Sequence, residues 1–243
     1  DPQPLPLIDF YEKKQPWVLR FHIDLSDPNM EFWNYAAPFI EKYDKLVVSN
    51  EKFKRNLNIK QDIIYPAIDP LTIKNNNIQE ERIRGLFAKY GIDDKRPILT
   101  QISRFDKWKD PEGVIDVFMK VREKVDCQLV LLGNTASDDP EGIKVYENVL
   151  NKAANHADIK VLLNVEENDE MVNSLQRKSD VVIQKSLKEG FGLTVTEAMY
   201  KGTPVVASNV GGIALQVVNG ENGFLHHPED IEGFSESIVK LIK

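Results

Sequence analysis

Two glutamates, Glu189 and Glu197, stand eight residues apart in KEGFGLTVTEAMYKGTPVVAS, Lys188 to Ser208. Two carboxylates that act together on a glycosidic bond must lie close: about 5 Å apart for a nucleophile and acid, about 6.5–9.5 Å for an inverting pair. Eight helical residues would span about 12 Å at about 1.5 Å each. The spacing argues against a paired-carboxylate glycosidase. It suits two carboxylates holding separate hydroxyl groups of one long ligand, Glu189 at a sugar ring and Glu197 at a ribose. Read singly, each would pass as a solvated loop or helix residue; the glycines between them change that. Gly190 and Gly192 let backbone N–H groups approach a ligand closely. Leu193 and Thr194 then open a helix, whose N-terminal amides and dipole attract phosphate. Gly202 is placed to end that helix before Thr203-Pro204.

A second stretch, SRFDKWKD at Ser103–Asp110, supplies cations. Arg104 could clamp a diphosphate with its planar fork and Lys109 as a point charge. Lys107 reads as solvated, and Trp108 as a packing residue rather than a stacking platform. No D-x-D triplet occurs in the chain, so a metal bridging the diphosphate is not indicated.

The elements that must position these residues alternate along the chain. Apolar runs at 16–24, 45–50 and 62–70 read as strands, with a helix over 29–43 interrupted near Pro38. LTIKNNNIQEERI, with three consecutive asparagines, reads as a linker. Strands follow at RPILTQIS, CQLVLLG, IKVLLN, DVVIQKS and TPVVAS, each separated by a helical stretch. In DPEGVIDVFMKVREKV, Asp110 is a helix cap, Pro111 suits the first turn, and Val114, Ile115, Val117, Phe118 and Val121 form the apolar stripe. The last helix, DIEGFSESIVKLIK, spaces Ile231, Phe234, Ile238 and Leu241 by three, four and three.

Continuous apolar strands alternating with helices mean a parallel sheet covered on both faces. Residues from about 80 to 243 give a doubly wound α/β domain, and residues 1 to about 70 give part of a second one. In such sheets ligands bind beyond the carboxyl ends of the strands, where both quoted loops fall.

The chain has 243 residues, 42% of them hydrophobic, enough for a packed core. Its net charge of −7 disfavours a nonspecific nucleic-acid binder. The single cysteine, Cys127, excludes an internal disulfide and reads as a buried structural thiol. No apolar run approaches the ~18 residues of a membrane span, and no signal peptide opens the chain, so a soluble, cytoplasmic setting is expected.

EGFGLTVTEAM, with GTPVVAS and SRFDKWK, resembles the donor site of the retaining glycosyltransferases of the glycogen-synthase and sucrose-synthase type, the glycosyl transferases group 1. The resemblance covers essentially the whole chain and implies the two-domain GT-B fold. Residues 1–72 would be the C-terminal part of the N-terminal, acceptor-side Rossmann-like domain. Residues 73–243 would be the C-terminal nucleotide-sugar domain. DPQPLPLIDFYEKKQPWVLRFHIDLSDPNMEFW and VGGIALQVVNGENGFL are similar to the trehalose glycosyltransferring synthases. Where many relatives carry GGIPE this chain has GGIALQ, with Gln216 similar to those synthases.

The resemblance implies a metal-independent retaining hexosyltransferase. It would move glucose from a nucleotide-diphosphate glucose to a sugar acceptor, glucose itself giving trehalose. It assigns Arg104 and Lys109 to the donor diphosphate. Glu189 goes to the donor hexose, with the backbone at Gly190, Phe191 and Gly192, and Glu197 to the ribose. Leu193 and Thr194 amides go to phosphate. His22 and Asp24 would face the cleft from the N-terminal domain; a histidine ending a strand also serves as a hydrogen-bonded structural residue, and both readings of His22 stand. His156, His226 and His227 read as surface or turn residues. The implied partners are a nucleotide sugar and an acceptor sugar, with no cofactor, nucleic acid or membrane; a homodimer is left open.

The opening carries no initiating Met and begins as if mid-fold, so the true N-terminus is expected upstream of Asp1; the family's N-terminal glycine-rich loop and its last helix, which crosses back between domains, have no counterpart here. The competing reading is a truncated nucleotide-sugar-binding module without activity, or another hexosyltransferase of the same family.

Overall fold

The computed structural model describes residues 3–134 and 140–243. Two parallel sheets carry the chain. The smaller has three strands in the order β1 (Val18–Arg20), β2 (Lys45–Val48), β3 (Gln61–Ile63), with helix α1 (Met30–Ile40) between the first two. Leu46, Val48, Ile40 and Phe53 are buried together in its core. Asn29 caps α1 by accepting from the Phe32 amide. Pro38 does not interrupt this helix, which runs on to Ile40. It lies in the last turn, where its missing N–H removes only one ladder bond.

The larger sheet has six strands, all parallel: β4 (Ile98–Ile102), β5 (Gln128–Gly133), β6 (Ile159–Leu163), β7 (Val181–Gln184), β8 (Val205–Ser208) and β9 (Gly223–His226), in the spatial order β6-β5-β4-β7-β8-β9. The order reverses between β4 and β7. The connection leaving β4 and the one leaving β7 therefore diverge and open a crevice at the carboxyl edge, the switch point of a doubly wound sheet.

Both faces of this sheet are covered. Leu129 and Leu131 of β5 point to the core under α3 (Pro111–Arg122), α4 (Pro140–Ala153) and α7 (Ile231–Ile242), where Phe118, Phe234 and Ile238 pack. Val130 and Leu132 point the other way, to the core under α2 (Glu80–Tyr90) and α5 (Asn168–Lys178) with Ile83, Phe87 and Leu175. The period-two alternation thus buries both sides of one strand, which is why its residues read as an unbroken apolar run. A further cluster, Val182, Val195, Ala198 and Val205, fixes α6 (Leu193–Tyr200) against β7 and β8.

Two elements depart from the sequence expectation. The end of the expected linker is helical: in α2, Ile83, Leu86 and Phe87 lie on one buried stripe, with polar residues filling the rest. The stripe is only three residues wide and is interrupted by Gly85, so its period is faint. β9 is an edge strand whose Phe224, Leu225 and His226 are only half-buried, and it lacks the apolar run that marked the inner strands. His226 ends this strand, its Nε2 2.8 Å from Ser237 Oγ, rather than lying in a surface turn.

Cys127 is fully buried, and burial pushes its thiol up to about 11. A thiol reagent at pH 8 should therefore titrate no group in the native protein and one after denaturation in guanidinium. Rapid native labelling would show that this edge of the core opens.

Candidate active site

The loop after β4 and the loop after β7 face each other across the switch point. In the first, Asp106 accepts from the Trp108 amide at 2.7 Å and caps a short helical turn, Lys107–Lys109. This turn points Lys109 across the crevice. Its Nζ lies 2.5 Å from Glu189 Oε2, with both side chains largely buried, 18% and 11% exposed. Gln184 Nε2 and Ser186 Oγ also reach Glu189 Oε2, at 3.4 and 3.3 Å. Three donors thus converge on one carboxylate oxygen. Among the described residues, none donates to Oε1, and Glu189 lines the cleft.

Arg104 stands at the rim, 62% exposed, its guanidinium 3.2 Å from Asp106 Oδ2. The exposure leaves most of its five donors unused. The cleft holds about 410 Å³ and is lined by His22, Ile23 and Asp24 from the smaller sheet's side and by Arg104, Asp106, Trp108, Lys109, Lys188, Glu189 and Gly190 from the larger. The structure therefore brings His22, Asp24, Arg104, Lys109, Glu189 and Gly190 together. Asp24 Oδ1 accepts from the Ser26 amide at 2.7 Å, which orients it locally. Burial, with the nearby Arg20 charge second, holds the His22 imidazole below its usual range, favouring the neutral ring.

Phe191, Gly192, Leu193 and Thr194 lie just beyond this lining. Gly192 takes φ 84°, in the left-handed region, and caps α6; a side chain there would be strained. Val195 donates to the Gly192 carbonyl at 3.0 Å; among the described residues, the Leu193 and Thr194 amides ahead of it meet no acceptor, as the first donors of a helix do. Gly190 packs so tightly on the His22 carbonyl that any Cβ would overlap it. Phe191 stacks on Tyr65 at 6.2 Å.

Glu197 lies apart, on α6, and is 6% exposed. Its oxygens accept from Lys74 at 3.2 Å and Gln176 at 2.9 Å. Next to it, Lys201 donates to Asn75 Oδ1 and Gln176 Oε1 at 2.8 and 2.7 Å. Burial pushes the Lys201 amine down to about 8.

Residues 83–243 match the family described as Glycosyl transferases group 1, and residues 1–55 match "Trehalose synthase, N-terminal domain". The chain belongs to the glycosyl transferases group 1. It is 51% identical to the trehalose synthase of Thermococcus litoralis over the whole chain and 60% of that protein. It is 42% identical to the trehalose synthase of Rubrobacter xylanophilus over 90% of the chain and 55% of that protein. The chain thus spans about 60% of the length of the first of these curated relatives. Among solved structures, the Anabaena protein HepE in complex with UDP and glucose superposes with a TM-score of 0.77 at 22% identity, over 95% of this chain and 62% of that one. At that identity the match concerns fold, and the fold is of the GT-B type.

Within this glycosyltransferase architecture, sequence reasoning missed several residues of the site. Asp106 was passed over between the cations it organises. Lys188 was missed although it lines the cleft and sits 5.3 Å from the Trp108 ring. Gln184 and Ser186 looked like the tail of a strand; their buried positions just before Glu189 were the available signal. Trp108 is corrected outright. It is 44% exposed, with the Lys107 and Lys188 amines each 5.3 Å from its ring, so it is no core packing residue.

The depressed Lys201 amine has a pH signature. Its folded value lies below the unfolded one, so the unfolded chain binds more protons between pH 8 and about 10.4, and stability from this group rises with pH there. Compared with Lys201→Met, the urea midpoint of the unaltered protein should gain between pH 7.5 and 10. Parallel pH profiles for the two proteins would remove Lys201 as the cause.

Proposed function

We propose that the chain is the donor-binding part of a retaining glycosyltransferase that moves glucose from a nucleotide-diphosphate glucose to glucose, giving trehalose. The observation that carries this reading is the cleft at the switch point. There Arg104, Lys109 and the amino end of α6 present positive charge to one side of a carboxylate, Glu189, whose Oε1 is unengaged. The 51% identity to a protein named trehalose synthase supports the acceptor and product. The complex of HepE with UDP and glucose supports a nucleoside diphosphate and a hexose as the cleft's ligands.

In this reading the bond between the sugar's anomeric carbon and the diphosphate oxygen breaks, and the electron pair leaves with the diphosphate. Negative charge grows there and positive charge on the ring. Lys109 and the Leu193 and Thr194 amides are fixed donors aimed at the first, an electrostatic preorganisation, and Arg104 reaches it from the rim. Glu189 Oε1 accepts from the hexose hydroxyls, helped by the backbone at Gly190, Phe191 and Gly192. The acceptor hydroxyl attacks the same face of the ring, and its proton passes to the departing phosphate oxygen. The carboxylates are thereby relieved of any nucleophilic role, and retention follows from front-face attack. His22 and Asp24 border the acceptor side.

Glu197 receives the ribose with the valences that Lys74 and Gln176 leave open. No cofactor is required, and two cationic side chains do what a bridging metal would. A cytoplasmic setting and a homodimer belong to the same reading; sedimentation measures the second.

Calorimetric titration of UDP, ADP and GDP into the chain should detect at least one nucleoside diphosphate, with the heat unchanged by EDTA. No binding of any of the three would end the proposal, and loss of binding in EDTA would end its metal-free form. In the gene product at full length, labelled nucleotide-glucose and free glucose should give trehalose. Arg104→Ala should cost about 2.7–4 kcal/mol of barrier lowering, a rate loss of roughly a hundredfold or more. Glu189→Gln should reduce turnover to a comparable or larger extent. Near-normal rates from both variants would refute the roles assigned.

A further inference from the structure

We propose that Lys185, through Asp110, is a positioning residue for Lys109. Nothing in the transfer chemistry calls for Lys185, yet it is a buried cation, 3% exposed, directly after β7. Its amine pairs with Asp110 Oδ2. Asp110 follows Lys109 and takes φ 46°, ψ 53°, in the left-handed region. That conformation crowds the Cβ of any residue but glycine against its own backbone. An aspartate remains there because both its oxygens are engaged. Oδ1 accepts from the Gly113 amide at 3.0 Å and caps α3, and Oδ2 faces Lys185. Any side chain at position 113 would overlap both Asp110 and the Lys185 amine, so the glycine there leaves room for the pair.

The pair is one of a set. The Leu187 amide donates to the Trp108 carbonyl at 2.7 Å, and Gln101 Nε2 donates to the Lys109 carbonyl at 2.7 Å. With Lys109 on Glu189, residues 108, 109 and 110 are each tied to the loop after β7. Without Lys185, the Asp110 carboxylate would keep one oxygen turned into a poorly solvated site without its counter-ion. The backbone would then relax out of the left-handed conformation. That relaxation swings the Cα–Cβ direction of Lys109 away from Glu189 and the cleft. Glycine at position 110 would hold the same backbone with no counter-ion, so its effect should be conditional on Lys185.

The binding arm of the test rests on the proposed donor site; the exchange arm does not. Hydrogen exchange at the Leu187 amide and calorimetric binding of UDP-glucose and ADP-glucose are measured for the unaltered chain, K185M, D110G, K185M/D110G, K109M and K109M/K185M. K185M should speed exchange at Leu187 and weaken nucleotide-sugar binding about tenfold or more. K185M/D110G should return both to within about threefold of the unaltered chain. In the K109M background, K185M should add no further loss of affinity, since the effect travels through Lys109. Where K185M alone does not fold, recovery of folding, exchange and binding by K185M/D110G reads the same coupling. Unchanged exchange and affinity in K185M would overturn the proposal, as would a double variant no better than K185M. If the unaltered chain binds neither nucleotide sugar, the donor-site reading fails and the Leu187 exchange rates alone decide the positioning.

Discussion

The contact between Lys109 and Glu189 is the constraint on which the site depends. It joins the loop leaving β4 to the loop leaving β7, so it spans the point where the sheet reverses order. Both side chains are largely withdrawn from water, and breaking a buried pair by removing one partner leaves an uncompensated charge. The remaining geometry follows from meeting that demand. Gln184 and Ser186 supply the further donors that a desolvated carboxylate needs. Gln101 holds the lysine's backbone. Because these donors gather on Oε2, Glu189 is held firmly while, among the described residues, no donor occupies its Oε1.

The same arrangement shows how an acidic chain gathers positive groups in one crevice. The net charge of −7 is spread over a surface rich in ion pairs, such as Lys178 with Glu80 and Lys120 with Glu232. Screening confines such exposed charges to a range of about 8–10 Å. Within the crevice the balance is local: Arg104, Lys109, Lys188 and a helix amino end against Glu189, Asp106 and Asp24. Arg104 is held loosely by Asp106 at the rim, and Lys109 tightly by Glu189.

What could be read from the sequence divides along physical lines. The inner strands β4 and β5 were legible because burial on two faces forces unbroken apolar runs. Helix α3 was legible because Asp110-Pro111 combines a side-chain acceptor with a residue that needs no amide partner. The EGFG stretch was legible because Gly190 meets a carbonyl and Gly192 a positive φ, demands that only glycine meets without strain. α2 and β9 hid because each buries one narrow face and so carries little periodic signal. Lys185 hid for a different reason. Its role depends on Asp110, 75 residues away, and on a backbone angle that no local pattern encodes.

The glycine at position 190 also decides how the two sheets meet. The His22 carbonyl occupies the space a Cβ would need, so the smaller sheet's loop rests directly on the backbone of the EGFG segment. Asn50 Nδ2 donates to the Gly211 carbonyl at 3.2 Å, and the Gly212 amide donates to the Gly190 carbonyl at 3.1 Å. Gln216 Nε2 completes the frame at the Phe191 carbonyl, 2.6 Å away. The loop that offers Glu189 is thus gripped through its main chain, from the smaller sheet on one side and the segment after β8 on the other. The contacts of Gly190 with the His22 carbonyl and the Gly212 amide are main chain to main chain and do not depend on side-chain rotamers. They fix the distance between His22 and Glu189 more firmly than the single exposed ion pair of Lys188 with Asp27 could. A larger residue at position 190 would have to push the two sheets apart, widening the cleft while leaving each sheet's own core in place.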